Sequence, residues 1–138
     1  MKIAVNVNHV YEFKTKDTVH FIPGIEPNYT EFPTCKGVYI FHYGKLYDVL
    51  ECKDKVLYIG AANRETLRSR IRKNWHGKIL GLLEEGKENC FSNEKVYVSY
   101  CELCKSVPDY IPFLIESKLL FEFREKFNMA PRANIGRR

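Results

Sequence analysis

Two tyrosines, Tyr39 and Tyr58, each stand two residues from a glycine in short apolar runs, Gly37-Val38-Tyr39 and Tyr58-Ile59-Gly60. An arginine-loaded stretch follows the second run at once. Phenolic hydroxyls beside concentrated positive charge suit polar chemistry on a phosphate backbone, one group handling a proton while others hold the anion. Residues 61–78 carry Arg64, Arg68, Arg70, Arg72, Lys73 and Lys78 against Glu65 alone, so this window accounts for the formal net charge of +5 of the whole chain. A patch so localised attracts a polyanion and steers its approach. The plainer reading of the same residues is a solvated helix face, and a third is a helix that meets an acidic protein partner. Arg132, Arg137 and Arg138 add a basic cluster near the end of the chain.

Two helices must position these groups. Asn63 is a candidate N-cap for the first, in which Leu67, Ile71 and Trp75 recur every four residues as a buried stripe. Arg68 and Arg72 share another face near Glu65, and Arg70 lies at the margin of the stripe. There its stem can pack while the guanidinium turns into a cleft, which favours Arg70 for fixed phosphate recognition. Helical character continues over Lys78–Glu85. The last periodic segment, Phe113–Phe127, takes Phe113, Leu120, Phe123 and Phe127 as its apolar positions, with Glu116 among them at three- and four-residue spacing. A carboxylate on such a stripe is costly unless it is paired, protonated or bound to a cation. The turn Pro131-Arg132-Ala133-Asn134 can return the Asn134 amide towards the same cleft.

Strands supply the rest. Met1–Val10 reads as a first strand on the alternation of Ile3, Val5 and Val7, with Val19–Ile22 set to pair with it. Residues 23–33 read as irregular connection. Val38–Tyr43, a turn at Gly44-Lys45, Val56–Ile59 and Lys95–Tyr100 follow as β-segments. Neighbouring strands built on Val38–Tyr43 and Val56–Ile59 would bring Tyr39 and Tyr58 to one site. Strands and helices in this order give an α/β (α+β) class, with residues 1–36 an extension packed on the domain formed by 37–138.

A chain of 138 residues with 45% apolar and 28% charged content fits one globular domain that needs no staples. Its five cysteines, at 35, 52, 90, 101 and 104, are odd in number and lack a second short-spaced pair beside Cys101 and Cys104, which argues against a disulfide framework or a structural zinc site. No apolar run approaches the roughly 20 residues of a membrane span, and the N-terminus lacks the apolar core of a signal peptide. An intracellular setting, cytoplasmic or nuclear, without membrane association is the expectation.

Assembled in this order, the residues make the chain resemble the GIY-YIG nuclease superfamily over residues 37–134. The resemblance rests on Gly37-Val38-Tyr39, Tyr58-Ile59-Gly60, Arg70 within Leu67-Arg68-Ser69-Arg70-Ile71, Glu116 within Leu114-Ile115-Glu116-Ser117, and Asn134 within Pro131-Arg132-Ala133-Asn134. Either tripeptide alone is weak evidence, and the ordered set is much stronger. It implies a small, mainly antiparallel three-stranded central sheet flanked by helices, here with an N-terminal β extension. Its roles fall on Tyr39 and Tyr58 as the hydroxyl pair, Arg70 as the phosphate-binding arginine, Glu116 as the metal ligand and Asn134 as an organiser of the site. Two departures stand out: Ala61 follows the second tripeptide where many members carry lysine, and Asn74 stands where some branches carry histidine, with His76 displaced by two. Glu122 lies closer to Pro131, at a spacing seen in repair-type members, but the helix-face argument selects Glu116.

The activity so implied is hydrolysis of DNA phosphodiester bonds with Mg²⁺, or Mn²⁺, at Glu116, leaving 5′-phosphate and 3′-hydroxyl ends. DNA is the expected partner, RNA stays open, and an accessory protein or an oligomer is compatible with so small a chain. Arg64, Arg68, Arg70, Arg72, Lys73 and Lys78 form the expected nucleic-acid face. Two alternatives remain: a binding module of the same fold with weak or absent hydrolysis, and a protein-interaction domain that uses the basic helix.

Overall fold

A computed structural model describes residues 1–6, 9–84, 95–103 and 106–135, with the backbone alone at 5 and 6. Val7, Glu85, Cys90, Cys104, Arg137 and Arg138 lie outside the described residues. The first strands, β1 (Lys2–Asn6) and β2 (His9–Glu12), pair antiparallel as a separate two-stranded sheet. The region expected to be one strand therefore holds two antiparallel strands. A four-stranded antiparallel sheet in the order β3-β6-β4-β5 is built from β3 (Lys14–Thr15), β4 (Gly37–Tyr43), β5 (Val56–Ala62) and β6 (Val96–Glu102). Helix α1 (Leu67–Asn74) runs through a π-helical turn at Trp75–Ile79 into α2 (Leu80–Glu84), and α3 (Tyr110–Phe127) completes the set.

The central sheet thus has four strands, which corrects the expected three. The extra strand is only two residues long, with Lys14 opposite Tyr100 and Thr15 opposite Ser99. What fixes it is a buried polar chain. His42 Nδ1 lies 3.0 Å from the Gly44 carbonyl and Nε2 lies 2.7 Å from the Ser99 hydroxyl, which is 2.6 Å from the Thr15 hydroxyl. Because a carbonyl only accepts, Nδ1 carries the proton, Nε2 accepts from Ser99, and Ser99 accepts from Thr15. Burial pushes the His42 pKa down to about 4, so the ring is neutral and every member of the chain is satisfied. Val19–Ile22 also departs from expectation: the Phe21 amide donates to Val96 at 2.8 Å, so the segment meets β6 instead of the first strand.

Both faces of the sheet are covered. On one, Tyr39, Phe41, Tyr58 and Val98 pack with Phe21, Phe32, Leu67, Ile71 and Trp75. On the other, Val38, Ile40 and Ile59 pack with Ile3, Phe13, Ile115, Leu119 and Phe123. The Leu67-Ile71-Trp75 stripe is buried throughout, as its spacing requires. The cap differs, since the Thr66 hydroxyl accepts from the Ser69 amide at 3.0 Å and Asn63 takes no part. Helix α3 starts at Tyr110 and holds Pro112 in its first turn, where no N–H is needed. Its buried stripe is Pro112, Ile115, Leu119 and Phe123, while Phe113 is 56% exposed. Of the expected stripe, Phe123 is buried and Leu120 and Phe127 pack half-buried against the same core, while Phe113 turns outward and Glu116 sits on the shoulder of the buried face.

Candidate functional site

Strand β5 is the outer edge of the sheet, and α1, α3 and the turn Arg132–Asn134 all approach it. An edge strand leaves every second residue with an unpaired amide and carbonyl. At Ile59 the Asn134 side chain fills both roles, its Oδ1 accepting from the Ile59 amide and its Nδ2 donating to the Ile59 carbonyl, each at 3.0 Å. The backbone beside Tyr58 is thereby fixed from outside the sheet.

Within the sheet, Tyr39 stands opposite Gly60 and Phe41 opposite Tyr58. Tyr39 and Tyr58 are therefore diagonal neighbours on one face. Their ring centroids are 6.1 Å apart. Gly60 makes this approach possible: a Cβ there would lie 2.6 Å from the Tyr39 hydroxyl oxygen and 2.6 Å from Cε2 of Tyr58. At Gly37 a Cβ would strike the Cys101 carbonyl oxygen at 2.1 Å. Both glycines of the tripeptides are thus places where a side chain has no room.

Tyr39 is fully buried, and its hydroxyl accepts from Nδ2 of Asn74, which also donates to the Arg70 carbonyl at 3.1 Å. Burial, then the neighbouring Tyr58 oxygen, push the Tyr39 phenol well above its ordinary value against the opposing pull of Arg70. Tyr39 is thereby kept protonated. Tyr58 is 5% exposed, and the Lys78 ammonium donates to its oxygen at 2.7 Å while lying 4.5 Å from the ring centre. Lys78 reaches this position from the π-helical turn, the wide turn closed by the Leu80 amide donating to the Trp75 carbonyl. Such turns recur at functional positions in helices.

Arg70 is half-buried on α1. Its Nη1 lies 3.3 Å from Glu65, its guanidinium adjoins Tyr39, and its Nε is buried with no hydrogen-bond partner among the described residues. Burial opposes the charge, but the Tyr39, Glu65 and Tyr58 oxygens hold the guanidinium above its ordinary value. Glu116 is mostly buried. Desolvation raises its pKa, and Arg70 and Lys78 pull it back. Tyr39, Tyr58, Arg70, Lys78 and Glu116 therefore act on one another electrostatically in one region. Glu122 is engaged elsewhere, in an ion pair with Lys118 at 3.0 Å.

The other basic residues divide between two clefts. Arg64 and Arg70 line one of about 450 Å³ with Ala61, Asn63, Glu65 and Phe113. Arg68, Arg72, Lys73 and His76 line a larger groove of about 580 Å³ on another flank of α1, away from the tyrosines. In that groove His76 pairs with Glu26 at 3.1 Å, and the Arg68 guanidinium donates to the Phe32 and Thr30 carbonyls at 2.9 and 3.1 Å. Lys73 pairs with Glu65. Arg68 and Lys73 thus serve internal contacts, and His76 does not approach the tyrosine pair. The sequence marks Asn74 only as a departure from the family pattern and Lys78 only as a general phosphate contact; the fourfold spacing of Arg70, Asn74 and Lys78 is the signal that joins them.

No group of three or more His, Cys, Asp or Glu side chains able to hold a metal exists among the described residues. A lone carboxylate still suits Mg²⁺, which binds through one or two carboxylates, retains water and takes further oxygens from a phosphate. Glu116 fits that donor chemistry. Cys101 is buried with its thiol pushed up to about 11 by desolvation, which keeps it protonated and unreactive. Comparison with protein-family models, with curated proteins and with solved structures finds no match to this chain.

Proposed function

We propose that this chain is a GIY-YIG-type endonuclease that hydrolyses DNA phosphodiester bonds with a divalent metal. The observation that carries the reading is the convergence on Glu116. A desolvated carboxylate under the pull of Arg70 and Lys78 lies in the same region as a tyrosine hydroxyl that a cation already holds.

In this reading the guanidinium of Arg70 binds a nonbridging phosphate oxygen, and its Glu65 partner yields to the substrate. Tyr58, as the phenolate, orients the attacking water and accepts its proton, with the Lys78 ammonium 2.7 Å from its oxygen. Tyr39 touches no solvent and acts as a positioning residue, bracing Tyr58 and Arg70 through Asn74. Asn134 holds the β5 backbone that aims Tyr58. Bound at Glu116, Mg²⁺ or Mn²⁺ would offset the charge that grows on the departing 3′ oxygen.

The test is cleavage of supercoiled, linear, branched and single-stranded DNA and of RNA in Mg²⁺ or Mn²⁺, with Glu116→Ala as control. Cleavage abolished in the variant, with DNA binding retained, is the expected result. Equal rates for the two proteins would remove Glu116 from the mechanism. A nucleic-acid-binding module is the second reading, favoured by the near-complete enclosure of both tyrosines. Salt-sensitive binding without product under every metal condition would select it.

A further inference from the structure

Phe113 is more than half exposed on α3, yet it does not face open solvent alone. It forms one wall of the 450 Å³ cleft whose other walls carry Arg64, Arg70 and Asn63. Asn63 and Arg70, two of the lining residues, each keep a polar atom that is closed off from solvent and has no partner, Asn63 Oδ1 and Arg70 Nε, so this corner of the fold is incompletely satisfied. Glu65 is the acidic member of the lining, and Arg70 and Lys73 both pair with it.

An aromatic ring and two arginines in one cleft match the parts of a nucleotide. The ring offers a stacking face and the guanidinium groups take the phosphate. A base stacked inside a duplex cannot offer its face to a side chain, so the match requires an unpaired base. We propose that Phe113 is a stacking platform for an unpaired nucleobase next to the phosphate held by Arg70. The preferred substrate then carries a bulge, flap or single-stranded junction at the scissile bond. The inference rests on the nuclease reading for its choice of nucleic acid, but its test reads binding alone. Tyr110, Leu114 and Phe121 are also exposed on α3. Phe121, outside the lining of this cleft, supplies the control.

The experiment uses the full chain carrying Glu116→Gln, in EDTA, with fluorescence anisotropy on three duplexes. One holds a single bulged adenine, one an abasic residue in the same bulge, and one is fully paired. The bulged adenine should bind roughly 5- to 100-fold more tightly than the abasic bulge. Phe113→Leu should erase that difference and Phe121→Leu should preserve it. Equal affinity for the adenine and abasic bulges overturns the platform and leaves the nuclease reading standing. Failure to bind any duplex overturns both. Loss of discrimination in both leucine variants, together with loss of a concentration-dependent dimer in sedimentation velocity, overturns the platform in favour of a protein-docking face.

Discussion

The Lys78 ammonium donates to the Tyr58 hydroxyl at 2.7 Å, across the gap between the π-helical turn and strand β5. If the pair acts as one unit on the attacking water, its members are not independent. Lys78→Met and Tyr58→Phe should each lower single-turnover cleavage, roughly 10- to 100-fold for the lysine change. The double variant should be no slower than the worse single one. Additive losses in a double-mutant cycle would show that the two residues act separately.

Glu116 is a desolvated carboxylate held at a cost in stability. Its folded-state pKa is raised by desolvation, so the folded protein binds the proton more tightly than the unfolded chain does. The sign follows: the carboxylate destabilises the fold above its raised pKa, and the penalty fades as pH falls towards the ordinary value of 4.5. Glu116→Gln should therefore raise Tm by a few degrees at pH 7 and by almost nothing near pH 4. Millimolar Mg²⁺ should raise the Tm of the native chain and leave the variant unmoved. A variant less stable than the native chain at pH 7 would contradict the desolvation argument.

Asn134 contributes two hydrogen bonds at one backbone site. Asn134→Ala should cost about 1–3 kcal/mol in urea unfolding. Asn134→Asp should cost more than alanine at neutral pH, because a carboxylate cannot donate to the Ile59 carbonyl and instead repels it. An aspartate variant as stable as the native protein would show that the amide donor contributes nothing.

His42 gives the opposite pH dependence to Glu116. Its folded-state pKa of about 4 lies below the ordinary 6.5, so unfolding takes up a proton between these values. Stability is full above about pH 6.5 and is lost as pH falls through this window, by at most about 3 kcal/mol. His42→Phe should flatten the stability profile between pH 7 and pH 4, while lowering stability at pH 7 by stranding Ser99 and the Gly44 carbonyl. An unchanged slope in the variant would place the acid sensitivity elsewhere.

Much of the fold was legible because its signals are local. Leu67, Ile71 and Trp75 repeat at helical spacing and are buried together, and Arg70 beside that stripe is half-buried. Val38–Tyr43 and Val56–Ile59 do pair, although β5 continues to Ala62 because the glycine that appeared to end it sits under the Tyr39 ring. Other features have no local signal. Lys14-Thr15 is too short to show a period, and what holds it is a hydroxyl far away in sequence. Phe113 looks like a core residue on hydropathy alone, but the sheet contacts α3 through Ile115, Leu119 and Phe123. Asn74 stood out in the sequence only as a missing histidine, whereas in the fold it joins Tyr39 to the backbone of Arg70.

The stretch before Gly37 has a consequence for where the cooperative unit begins. The carbonyls of Pro33 and Cys35 accept from the first amides of α1, those of Thr30 and Phe32 hold Arg68, and Phe21 and Phe32 fill the core against Trp75 and Tyr100. A boundary drawn at the first tripeptide would strip the arginine helix of its start and open the aromatic core. The minimal autonomous folding unit therefore reaches upstream of the motif by at least these contacts, and the recognisable signature is shorter than the structure that sustains it.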